Sequence, residues 1–173
     1  MKTTFVLTII GPDRHGIVNE LSGILKQHNA NWLASRMANL AGEFAGILHA
    51  DVDEQNYSAL LRDLNKLNDS NLQLLIKPVS TDTAQKLDYR QAELEVVGTD
   101  REGIVKDITQ ALSRFDINVE ELTTECSDAP MSSAPLFKAI AQLTIERSVD
   151  LELVQEEIEK IANDLITEFK VSV

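Results

Sequence analysis

Residues 11–18 read GPDRHGIV. Within eight positions they combine two glycines, an aspartate and an arginine at the end of an apolar run, a composition suited to holding an anion. Backbone N–H groups exposed at a helix start bind a carboxylate or phosphate, and a guanidinium such as that of Arg14 would reinforce them. The stretch returns at 98–105 as GTDREGIV, with six of eight positions identical and Arg101 in the place of Arg14. The candidate ligand-binding residues are therefore Pro12, Asp13, Arg14, His15, Gly16 and Ile17 in the first copy, and Asp100, Arg101, Glu102, Gly103 and Ile104 in the second. Because the copies differ at Pro12/Thr99 and His15/Glu102, two occupied loops would not bind identically.

The same residues also admit an explanation without a ligand. Gly11 and Gly98 would supply positive φ, Gly16 and Gly103 a close backbone approach, and Asp13 and Asp100 acceptors for the free N–H groups of the helix start. Asn31 and Asn118 follow the next helix in each copy. Each either ends the helix and opens the strand, or reaches the loop as a further ligand contact.

Outside the repeat, chemistry-bearing residues are sparse. His15, His28 and His49 are widely spaced, and one His-Asp pair in HAD, 49–51, lacks the third and fourth ligands of a metal site, so no metal is expected. The single cysteine, Cys126, has no basic neighbour or second cysteine and is expected as a packed thiol. Trp32 is expected to pack. The segment SDAPMSSAP, 127–135, has no counterpart of equal length in the first copy and is either a partner contact or a tolerated insertion.

The elements that must position these residues repeat as well. At an offset of 87 residues FVLTII aligns with AELEVV, and Ile17, Val18, Leu21 and Leu25 align with Ile104, Val105, Ile108 and Leu112. The first copy reads as a strand over 3–10, a helix over 16–28, strands over 31–41 and 43–52, a helix over 56–68 with Tyr57, Leu60, Leu61, Leu64 and Leu67 on one face, and a strand over 72–77. In the second copy the counterparts are 91–97, 103–115, 117–126, 136–146, 150–164 and 166–173. The order βαββαβ, twice, is that of an α+β fold: two tandem ferredoxin-like domains, each an antiparallel sheet with its helices on one face. The expected boundaries are 1–78 for the first domain, 79–90 for a polar linker and 91–173 for the second. Open sheet edges and faces suggest a homodimer.

Composition restricts the partners. The net charge of −12 and pI of about 4.6 oppose contact with a phosphate backbone or an anionic membrane. Residues 1–87 carry 9 acids and 8 bases, and residues 88–173 carry 19 and 8, so the second half holds nearly all the excess. No apolar run approaches the roughly 20 residues of a membrane span, and the start lacks a secretory cleavage pattern; a cytoplasmic protein is expected.

A strand ending in G-x-D-R-x-G-I-V, an amphipathic helix and an Asn-led strand, in a unit of some 80 residues, resembles the ACT domain. Two in tandem resemble the glycine cleavage system transcriptional repressor family. Pro12, Asp13, Arg14, Gly16 and Ile17 match the motif, and the second copy departs from it only at Thr99. The resemblance implies a non-enzymatic regulator without a cofactor, binding an amino acid at an interface between paired domains through the loop after the first strand. It further implies glycine as the effector and, as partner, the DNA-binding activator of the glycine cleavage operon. Two other readings remain: an acylphosphatase-like hydrolase in which Arg14 and Asn31 orient substrate and water, and a structural adaptor with no ligand.

Overall fold

The computed structural model describes residues 1–68, 71–79, 88–128, 135–161 and 165–171. Most of the expected linker, the 129–134 part of the inserted loop and the chain end at 172–173 lie outside the described residues. The chain divides into two compact units, residues 1–83 and 84–173.

In the first unit β1 (Lys2–Pro12), α1 (Ile17–Gln27), β2 (Asn31–Leu40), β3 (Glu43–Asp53), α2 (Glu54–Asn65) and β4 (Gln73–Pro78) follow in order. The second repeats them as β5 (Tyr89–Thr99), α3 (Ile104–Ser113), β6 (Asn118–Ser127), β7 (Leu136–Glu146), α4 (Leu151–Ile161) and β8 (Ile166–Val171). The sheets run β2-β3-β1-β4 and β6-β7-β5-β8, antiparallel at every pairing. Strand β5 starts at Tyr89, inside the expected linker. Tyr89 pairs with Glu146, and the Arg90 guanidinium donates to the Val149 carbonyl, which prolongs the strand toward its N-terminus.

Alternation builds each core. Phe5, Leu7 and Ile9 of β1 join Leu48, Ala50 and Val52 of β3 on one face, where Ile17, Leu21 and Leu25 of α1 and Leu60 and Leu64 of α2 cover them. In the second unit Phe137, Ala139, Ala141, Leu143 and Ile145 of β7 lie against Ile104, Ile108 and Leu112 of α3 and Val154 and Ile158 of α4. Val18 and Val105, which align in the repeat, are exposed, because they stand one position beyond the buried stripe.

The open faces differ in chemistry. In the first unit Ile10, Ile47 and Leu75 are exposed there. In the second, Lys138 meets Glu95 at 2.7 Å, Lys170 meets Glu95 at 3.1 Å, and the Gln142 amide donates to Glu93 at 2.8 Å. Lys138 first, then Lys170, hold the Glu95 carboxyl below its ordinary range. Charged pairs thus cover the middle of this sheet, with Ile166 exposed on its edge strand, where the other exposes Ile10, Ile47 and Leu75.

Candidate ligand-binding loops

Each motif loop leaves the end of a central strand and lies against the neighbouring hairpin. Ala41 and Gly42 close the β2–β3 turn with φ of 52° and 85°, a two-residue turn with both centres left-handed. The Asp13 N–H donates to the Gly42 carbonyl at 2.8 Å, and the Asp13 carboxylate accepts from the Asn39 amide at 2.5 Å. In the second unit the Asp100 N–H donates to the Pro135 carbonyl at 2.9 Å. Cys126 stands where Asn39 stands in the first copy. Desolvation and then the Asp100 carboxylate push its thiol up, so it is a weak nucleophile. It is exposed on β6 rather than packed, because the strand lies at a sheet edge.

The glycines exchange the roles expected of them. Gly16 and Gly103 take positive φ, at 95° and 83°, as the residues immediately before α1 and α3. Gly11 and Gly98 do not; they are buried strand residues paired with Phe44 and Phe137. At Gly11 the constraint is space: a Cβ there would lie 2.3 Å from the Asn71 carbonyl oxygen. Nor does either aspartate cap its helix. No side-chain cap bond forms at Gly16 or Gly103, the residues before α1 and α3, and in the second unit the Ile104 N–H donates to the Arg101 carbonyl at 3.4 Å.

Both arginines are engaged. Arg14 grips Glu20 of α1 through two bonds, at 2.8 and 2.6 Å, and Arg101 meets Asp107 of α3 at 2.8 Å. Glu20 and Asp107 occupy equivalent positions, three residues after each helix begins, and residue-by-residue reading missed them. The available signal was the R-x₅-[DE] spacing, which places an acid one helical turn beyond the loop. The Arg14 bonds hold the Glu20 carboxyl below its ordinary 4.5, so the pair's contribution is present above that value and lost as pH falls through the depressed one. Arg14→Ala should return the Glu20 carboxyl to the ordinary range, read directly by carboxyl-carbon NMR titration; an unmoved titration would show that another group sets it.

Pro12, Asp13, His15 and Gly16 are exposed together in the first loop, as are Asp100, Glu102 and Gly103 in the second. Arg14 is exposed as well, and Arg101 is half-buried. Ile17 and Ile104 belong to the cores and anchor the helix starts. Asn31 and Asn118 are elsewhere. Asn31 pairs with Asp51 and through it aligns with Thr4, eight residues before Pro12 on β1, about 27 Å along the sheet. Asn118 is placed likewise through Thr144 and Gln91, and its amide donates to Glu120 at 2.6 Å. The expectation that the start of the second strand nears the loop is thus corrected: β2 and β6 run parallel to β1 and β5, so their ends, not their starts, reach the motif. The left-handed residues that end α1 and α3 are Asn29 and Asp116, two positions earlier.

Within one chain that separation keeps Arg14 and Asn31 from meeting on one substrate, as the hydrolase reading requires. Trp32 packs partly buried against the first core. Among the described residues no cluster of three or more His, Cys, Asp or Glu could hold a metal, and no helix is long and apolar enough to cross a membrane.

Comparison with known proteins agrees with this architecture. The ACT domain family model matches residues 3–77. A crystal structure of a protein of unknown function from Galdieria sulphuraria is 30% identical, with a TM-score of 0.83 and all of both chains covered. A candidate glycine cleavage system transcriptional repressor is 23% identical, with a TM-score of 0.69, 99% of this chain and 98% of that chain covered, a likeness of fold. A search of curated proteins finds no match. ACT domains are non-catalytic regulatory modules, and with βαββαβ units on both sides of a repeated G-x-D-R-x-G-I-V loop, this chain belongs to the ACT-domain family as a tandem pair.

Proposed function

We propose that the protein is a regulator that binds a small amino acid at its motif loops and passes the signal on by protein contact. The observation that carries this reading is the juxtaposition, in both units, of an uncapped helix start and an exposed aspartate. The N–H groups of a helix start suit a carboxylate and the Asp13 or Asp100 side chain suits an ammonium, which together are the two ends of an amino acid. Since Arg14 and Arg101 are already paired with helix acids, a zwitterion suits the loops better than a phosphate does. Glycine is the first effector to test, given the name carried by the structurally similar repressor. The acidic surface favours action through a DNA-binding activator over direct DNA contact.

Asn31 enters this reading through a second copy of the chain. Strand β2 is a sheet edge, and a two-fold axis laying another β2 antiparallel to it would bring the partner's strand start toward this chain's motif loop. The protein would then sense its effector as a homodimer.

The test is thermal unfolding and calorimetry with glycine, serine and the other common amino acids. A ligand at 100 times its Kd raises native stability by about 2.7 kcal/mol. The wild type should respond to one or a few of them, and Asp13→Ala and Asn31→Ala should each lose the first-unit response. Mixing the two variants should restore up to half of the sites in heterodimers, since one interface then carries an intact loop and an intact asparagine. No response to any amino acid would leave the loops as structural turns and the protein as a ligand-free adaptor.

A further inference from the structure

Each unit ties the end of its first helix to its second helix by a cation and a carboxylate, and the two units use different cations. His28 closes α1, and its Nε2 lies 2.7 Å from Asp63 Oδ2 on α2. Arg114 closes α3 and pairs with Glu157 on α4. The acids are equivalent: Asp63 falls between the buried Leu60 and Leu64, and Glu157 between the buried Val154 and Ile158. The same mechanical link is therefore built once with an imidazole and once with a guanidinium.

We propose that His28 makes the α1–α2 contact of the first unit proton-sensitive, while Arg114 keeps the α3–α4 contact of the second indifferent to pH. The His28 side chain is only 12% exposed, against 54% for Arg114, so its charge state acts where water screens less. Among the described residues, the groups facing it come from α2 and from Lys66, which follows it. Asp63 is shared with Lys66, whose ammonium donates to Oδ1 at 2.6 Å, and the Asn56 amide donates to the His28 carbonyl at 3.2 Å. Lys66 first, then His28, hold the Asp63 carboxyl below its ordinary range, so the acceptor stays charged throughout the physiological window. The imidazolium forms a charge-assisted bond to that carboxylate, and the neutral ring retains a bond about half as strong. Rising pH therefore loosens the link in one unit only. Because α1 carries the first motif loop at its other end, the two loops are held differently as pH changes.

Hydrogen exchange of the full chain at pH 5.5 and pH 8.0, corrected for intrinsic exchange rates, tests this. Protection at the α1–α2 contact should fall about fivefold at the higher pH while that at α3–α4 stays constant. His28→Arg should flatten the first unit's response, and Arg114→His should install one in the second. The second substitution keeps the test open should the first disturb folding. An equal response in both units, a response that survives His28→Arg, or an Arg114→His chain as flat as wild type would overturn the proposal. None of these outcomes depends on amino-acid binding.

Discussion

Leu25→Ala should destabilise the first unit by about 2–5 kcal/mol and leave the second unit's core untouched. Leu25 is 2% exposed on α1, and every buried side chain of its cluster belongs to residues 5–74. Its counterpart on α3, Leu112, is 1% exposed in a cluster drawn from residues 92–165. Two cores with no shared residue make two sites of damage. Hydrogen exchange mapped along the chain should show Leu25→Ala raising exchange within residues 1–79 and Leu112→Ala raising it within 88–171. Uniform loss of protection from either substitution would mean that the units fold as one cooperative body, whatever their separate cores.

Gly11→Ala should cost about 3 kcal/mol, whereas Gly16→Asn should stay within about 1 kcal/mol of the wild type. The added Cβ at Gly11 meets the Asn71 carbonyl oxygen at 2.3 Å and the Leu72 side chain at 3.0 Å, so the chain entering β4 must move. A Cβ at Gly16 meets nothing within 4 Å; its only demand is a φ of 95°, in a region that asparagine tolerates better than other residues with a side chain. Chemical denaturation of both variants reads the difference. A reversed order would mean that helix-start geometry, not clearance beside β4, limits this motif.

These glycines show what kind of information a sequence carries. That two glycines flank D-R-x was visible, and so was a turn; which one needed a left-handed backbone and which one needed room was not. Positive φ is a property of the local turn, but the crowding at Gly11 comes from Asn71, sixty residues away. The engaged arginines are a similar case: their spacing to Glu20 and Asp107 is legible, but that each guanidinium folds back onto its helix acid is a matter of loop geometry. The His28–Asp63 link was out of reach, since its partners are 35 residues apart on different helices.

By itself the sequence determined the element order, the duplication, the faces of the helices and of β7, and the family, because periodicity and turn residues act over a few positions and the repeat supplies its own alignment. Tertiary structure alone decided which residues meet. It placed Asn31 at the far end of the sheet from the loop it follows, because β2 runs parallel to β1 with β3 between them. It also set Asn39 and Cys126, at the other ends of the same strands, beside the motif aspartates. Strand direction is a long-range property, settled by which hairpins pair across the sheet rather than by any short stretch of residues.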